Sequence, residues 1–237
     1  AIATIDRYFG GWKSNPNLSR PEYAPVPTLT APTDTTVIGQ EAENVMLGWK
    51  FDRAASLQQD TLNVIAEMLS NGKAGLFDLN LDQKMQYLGG AAFVYPLAEY
   101  SSLIVEGLPK EGQTLEQVRD LMLGEIEKLK RGEFSDDLLP SVINNMKLDA
   151  YKEMEDNDSR ASKFVDAFIN GQEWSDVVGR LDRISHITKQ QIVDFANRHF
   201  LDNYVAVYKR QGVDNSVKKI DTVSYTHLRA HETELHL

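Results

Sequence analysis

Asn44-Val-Met-Leu-Gly-Trp-Lys-Phe51, followed by Leu57-Gln-Gln-Asp-Thr-Leu-Asn-Val-Ile-Ala-Glu-Met-Leu-Ser-Asn71, decides the fold. In the first stretch Val45, Leu47 and Trp49 alternate with other residues, the period-two signature of a strand with one buried face. In the second, Leu57, Thr61, Leu62, Ile65, Met68 and Leu69 recur at helical spacing and make one apolar stripe. Gly72 is a fitting stop, because glycine reaches the left-handed conformation that ends a helix at no steric cost.

Downstream, Ala91 to Tyr95 and Tyr100 to Gly107 read as two strands, antiparallel neighbours because the connection between them is short. From Thr114 the chain is helical almost to residue 201. Thr114 and Gln117 form a capping-box pattern, and Val118, Met122, Ile126 and Leu129 hold an apolar stripe up to Gly132. Ser135 is expected to cap a helix with Leu139, Val142, Ile143 and Met146 inward. Ser159 is expected to start another, with Phe164, Val165, Phe168 and Ile169 inward and Gly171 as its stop. A short helix follows over Glu173 to Asp182, with Trp174, Val177, Val178 and Leu181. Thr188 and Gln191 repeat the capping box before a helix carrying Ile192, Phe195 and His199 inward, and Asn203 to Tyr208 alternates as a strand. Strands and helices are thus segregated. This argues for an α+β fold, a two-layer sandwich in which a mostly antiparallel sheet packs on a layer of helices.

Upstream, residues 10–36 hold Gly10, Gly11, Pro16, Pro21, Pro25, Pro27 and Pro32, which rule out a helix or a central strand and mark a linker. Structure is expected to resume at Val37. Ala1 to Phe9 has helical spacing (Ile2, Ile5, Phe9) but no cap, as though the chain began inside an element. The 237 residues are 42% hydrophobic and 25% charged, an ordinary globular balance. The net charge of −10 opposes binding to a phosphate backbone, so nucleic acid is not an expected partner. The absence of cysteine removes disulfides, thiol nucleophiles and zinc–thiolate sites together. No apolar run approaches the ~20 residues needed to span a bilayer.

Several local motifs, taken in order, resemble the repeating domain of the insulinase/pitrilysin family of zinc peptidases. They are Asp6-Arg-Tyr-Phe-Gly-Gly-Trp12 before the proline-rich stretch, Leu69-Ser-Asn-Gly72 with Gly75-Leu-Phe77, and Ile126-Glu-Lys-Leu-Lys-Arg-Gly132 before Ser135-Asp-Asp-Leu. Leu181-Asp-Arg-Ile-Ser-His-Ile-Thr188, Phe195-Ala-Asn-Arg-His-Phe200 and Asn203-Tyr-Val-Ala-Val207 complete the series. The likeness covers roughly residues 1 to 213 and implies the two-layer fold of insulinase and mitochondrial-processing-peptidase-like domains. Catalytic members carry H-x-x-E-H on the helix after the first strand. With the closing glycines aligned, the corresponding residues here are Asn63, Ala66 and Glu67. The family's clamp partner domain carries an arginine and a tyrosine at positions that correspond to Ser102 and about Gln113. The resemblance therefore implies a non-catalytic domain, with zinc expected only in a separate catalytic domain of the same protein.

Five histidines exist: His186, His199, His227, His231 and His236. His231-Glu-Thr-Glu-Leu-His236 is a near miss for a zinc helix: its histidines are five apart, about 140° around a helix rather than on one face. His227 and His231 are four apart but lack a third ligand. The surrounding run from Val223 to Thr233 also resembles translated adapter sequence, so residues 214–237 are read as a non-native tail. His199 reads as a core histidine and His186 as a turn residue. Glu153-Met-Glu-Asp-Asn-Asp158 lacks the glycine and distal glutamate of a calcium loop and reads as a solvated helix end. Tyr87, Tyr95, Tyr100 and Trp49 read as core or sheet-face residues. No catalytic, cofactor-binding or metal-ligating residue is nominated.

The expected organisation is the end of a preceding domain plus linker over 1–36, an insulinase-like inactive domain over 37–213, and the tail. The expected role is structural: a wall of a peptide chamber, partnered by the catalytic domain and touched by unfolded peptide, with a homodimer left open. The alternatives are a scaffold or binding subunit that keeps the fold without any peptidase, and an unrelated α+β hydrolase using carboxylate pairs. The family expectation favours a bacterial periplasm or cell envelope, with the cytoplasm left open.

Overall fold

A computed structural model of the protein describes residues 1–19 and 21–214; the tail histidines His227, His231 and His236 lie outside the described residues. The strand expected over 44–51 is β2 (Asn44–Phe51) and the helix after it is α2 (Gln58–Leu69), preceded by α1 (Ile2–Phe9) and β1 (Thr33–Gly39). A π-helical turn, Asp78–Asp82, leads to β3 (Gly89–Pro96) and β4 (Ser101–Leu108). Then come α3 (Leu115–Lys130), α4 (Leu138–Glu155), α5 (Asn157–Asn170), α6 (Trp174–Ser185), α7 (Lys189–His199) and β5 (Tyr204–Gln211).

The strands form one sheet in the order β1-β5-β2-β4-β3. All pairs are antiparallel except β1 with β5. The period-two pattern sets which face is dry. Val45, Leu47, Trp49 and Phe51 of β2, Leu103 and Val105 of β4, and Tyr204, Ala206 and Tyr208 of β5 are buried on the helix side. They meet Leu62, Ile65, Met68 and Leu69 of α2 and Val118, Met122 and Ile126 of α3 in one core. At its centre Trp49 packs edge-on against Phe200, with ring centroids 5.4 Å apart, and its indole N–H donates to Leu201 O at 3.1 Å. α3 lies so close to β4 that a Cβ on Gly107 would stand 2.5 Å from Val118 Cγ1. Glycine is required there by contact, not by backbone angle.

Both capping boxes form as expected, Thr114 with Gln117 and Thr188 with Gln191. Gly72 adopts φ +74°, the left-handed conformation expected after α2.

Four local expectations are corrected. First, β1 begins at Thr33, inside the stretch read as linker. Its four leading residues, Thr-Asp-Thr-Thr, carry no apolar alternation, because neither face of this edge strand, which pairs with β5, is buried. Second, Asp137, not Ser135, stands at the N-cap of α4, and Ser135 Oγ accepts from Asp137 N one turn earlier. Third, α5 is capped by Asp156, whose carboxylate accepts from Ser159 N at 2.7 Å. Fourth, the apolar stripe of α5 does not face the core. Phe164, Val165, Phe168 and Ile169 are all exposed, and only Ala167 of this helix is buried. α5 packs on α4 and α6 at the rim of the helix layer, where the sheet is out of reach. Val178 of α6 is exposed for the same reason. Among the described residues no helix is long and apolar enough to cross a membrane.

Candidate functional site

α2 presents Asn63, Ala66 and Glu67 at the three positions that the sequence comparison singles out. Asn63 turns its side-chain amide back onto its own helix, Nδ2 donating to Gln59 O at 2.7 Å. Ala66 is buried in the core. Glu67 is exposed as a residue. Its carboxyl is still desolvated enough by the surrounding helices that its pKa is pushed up, and the Asp149 carboxylate adds to the rise while Arg180 opposes it. An amide, a methyl group and one carboxylate do not make a zinc site, which needs three protein ligands even when a water completes the sphere. Among the described residues no group of three or more His, Asp or Glu is placed to hold a metal.

The two described histidines stand elsewhere. His199 lies against Phe195 and Phe51, with centroids 4.5 and 5.6 Å away, and its Nε2 is 3.4 Å from Gln58 Nε2, at the opposite end of α2 from Glu67. Burial pushes its pKa down, helped by Arg198. His186 Nδ1 contacts Asp182 O at 2.8 Å, in the turn where it was expected. Ser102 is half-buried on β4, paired with Lys50 and Tyr95. Gln113 is consumed locally, its amide donating to Gln86 O at 2.9 Å and accepting from Lys110 N at 3.0 Å. Trp49 and Tyr87 are core residues, and Tyr95 is exposed at the edge of the sheet. The acidic run at 153–158 is a helix junction, in which Glu153 pairs with Lys163 at 2.7 Å and Asp156 caps α5.

Beside Asn63 a groove of about 700 Å³ opens between α2, α4, α5 and α6. Its apolar lining includes Tyr151, Met154, Ile169, Trp174 and Val177. Asp60 lies in it, a buried carboxylate on the first turns of α2 that the sequence reading did not single out. It accepts from Arg183 Nε at 2.6 Å, while Arg180 Nε stays 3.8 Å away. Arg183 also donates to Asp176 O at 2.7 Å. This network ties α6 to α2 and fixes the depth of the groove. The available signal was an aspartate inside a stretch otherwise committed to burial.

The turn after α2 is built on a second buried carboxylate. Asp78 accepts from Ser70 Oγ at 3.2 Å, Asn71 N at 3.0 Å, Lys73 N at 3.0 Å and Gly75 N at 2.8 Å. The Leu69-Ser-Asn-Gly72…Gly75-Leu-Phe77 motif is therefore the shell of a carboxylate that lies one residue beyond it.

A family model described as "Peptidase M16 inactive domain" matches residues 1–146. The chain belongs to this family. It is accordingly a non-catalytic domain of the M16 peptidase type. No curated protein matches it. Among solved structures, a protease from Helicobacter pylori superposes with a TM-score of 0.82 at 20% identity, covering 88% of this chain and 52% of that one. An M16 inactive domain from Pseudomonas fluorescens gives 0.67 at 12% identity, covering 82% and 48%. The periplasmic protease PqqL from Escherichia coli gives 0.65 at 14% identity, covering 88% and 25%. At these identities the likeness fixes the fold of the M16 inactive domain, an α+β sandwich. The chain spans about half the length of the first two of these relatives.

Proposed function

We propose that the M16 inactive domain serves as a structural wall of the substrate chamber in a zinc metalloendopeptidase, beside a catalytic domain that alone carries zinc. The observation that supports this is a complete peptidase-type helix α2 bearing Asn63, Ala66 and Glu67 where H-x-x-E-H would stand. Selection of the scaffold without its ligands fits a domain kept for shape. In this reading residues 1–32 are the end of the preceding domain and its linker. The inactive domain proper starts with β1 at Thr33, and 214–237 is read from its sequence as a non-native tail. β3, an edge strand paired among the described residues only with β4, offers its other side to an extended peptide by β-augmentation.

The test has two parts. Metal analysis of the purified 237-residue chain is expected to find no stoichiometric zinc, and quenched fluorescent peptides are expected to stay intact with it. The parent polypeptide is expected to encode H-x-x-E-H in a second domain and to lose peptidase activity to a chelator. Zinc and chelator-sensitive cleavage in the isolated chain would overturn the reading, and a parent without H-x-x-E-H would replace it with the scaffold alternative.

A further inference from the structure

The groove beside Asn63 is lined by three cations, Lys163, Arg180 and Arg183, and three carboxylates, Asp60, Asp166 and Asp176. Gln59 lines it and is 7% exposed; its Nε2 donates to Asp52 O at 2.9 Å, and its Oε1 is buried with no partner among the described residues. A buried carbonyl oxygen without a donor is costly. Asp166 and Asp176 also line the groove, and neither carboxylate has a hydrogen-bond or ion-pair partner among the described residues. The cations present are largely committed. Lys163 pairs with Glu153 at 2.7 Å and Arg183 with Asp60 at 2.6 Å. Arg180 is left 3.8 Å from the same Asp60, one loosely held charge against two free carboxylates. The rest of the lining is apolar and aromatic, with Trp174 stacked on Phe164 at 4.1 Å. The volume falls in the range of sites that bury a drug-sized ligand, enough for the side chains of a short segment.

We propose that this groove takes an extended peptide segment that carries lysine or arginine next to a bulky apolar residue. The ammonium or guanidinium is neutralised by Asp166 and Asp176, and the apolar side chain lies against Tyr151, Met154 and Ile169. The inference deepens the chamber-wall reading and rests on it for the nature of the ligand: the wall is not neutral toward its cargo but selects basic, apolar segments.

The experiment is fluorescence anisotropy on the intact 237-residue chain with three fluorescein-labelled, unstructured ten-residue peptides. One alternates lysine and phenylalanine among serines, one replaces each lysine by glutamate, and one replaces each phenylalanine by serine. The lysine–phenylalanine peptide is expected to bind at least tenfold more tightly than the glutamate version, and to weaken as salt rises. Asp166→Asn together with Asp176→Asn is expected to raise its Kd about tenfold and to flatten the salt dependence. Tyr151→Ser, on an exposed side chain that leaves the fold intact by circular dichroism, is expected to weaken the lysine–phenylalanine peptide but not the one lacking phenylalanine. Equal affinity for the glutamate peptide, no change in the double variant, or no binding of any peptide overturns the proposal. The chamber-wall reading is judged separately, by peptidase rates of the parent protein. Cleavage that persists with an unchanged KM in the groove variants sinks this inference and leaves the wall standing. A parent without peptidase activity sinks the wall, whatever the groove binds.

Discussion

Asp78→Ala removes a single buried carboxylate and so tests whether the turn after α2 is held by it. Four donors converge on that group: Ser70 Oγ and the backbone amides of Asn71, Lys73 and Gly75. The Gly75 amide is in a buried setting, so leaving it unpaired costs about 1–3 kcal/mol. The Asn71 and Lys73 amides are partly buried and regain water in part, at about 0.5–1.5 kcal/mol each. The sum is about 2–6 kcal/mol, a fall of roughly 4–24 °C in Tm for a chain of this size. Asp78→Asn separates charge from geometry. Its carbonyl oxygen can keep the three amides that Oδ2 now holds, and its amide can donate to a reoriented Ser70 hydroxyl. The expected cost is then about 1 kcal/mol, the charge-assisted part of the bonds. Urea unfolding followed by tryptophan fluorescence, to which the buried Trp49 contributes, measures both variants. An Asp78→Ala protein within about 1 kcal/mol of the parent would refute the reasoning, as would an asparagine variant no more stable than the alanine one.

Glu67→Gln is expected to stabilise the protein at pH 7. The folded carboxyl has a raised pKa, so its contribution is present below the unfolded value near 4.5 and is lost as pH rises through the folded pKa; thermal melts at pH 4 and pH 7 should show the gain only at the higher pH. His199 behaves in the opposite sense. Its folded pKa is lowered, so stability falls as pH drops from above the unfolded value of about 6.5 toward the folded one, and urea midpoints in His199→Asn should fall less over that window. Gly107→Ala forces a Cβ against Val118 Cγ1 and should cost about 1–3 kcal/mol of overpacking, most of which Val118→Ala in the same chain should return, an outcome read by a double-mutant cycle of urea midpoints. Thr114→Ala removes the capping box of α3 and should cost about 1 kcal/mol in the same assay, with Thr114→Ser restoring it.

The core was legible because its signals are local and periodic. The alternation in β2 and the stripe on α2 each specify one dry face. Thr114 and Thr188 were legible because a capping box is completed within four residues. Asp60 and Asp78 were not, since their partners Arg183 and Ser70 to Gly75 turn them inward only when the helices and the turn are assembled. The β1 edge was missed because neither of its faces is buried, so it carries no apolar alternation. α5 was assigned the wrong environment because its stripe of Phe164, Val165, Phe168 and Ile169 is as regular as that of a core helix. Periodicity states that a face is apolar. It does not state what lies opposite.

By itself the sequence determined the class of fold and the absence of a histidine pair from α2. Both depend on residue identity at fixed local spacing: a histidine pair that is not written on α2 cannot be created by folding. Only the tertiary structure decided that the stripe of α5 stays uncovered, that Asp60 and its arginines tie α6 to α2, and that a groove with unneutralised Asp166 and Asp176 opens beside Asn63. Burial and charge balance are sums over neighbours drawn from distant parts of the chain, and those neighbours exist only once the helices are packed.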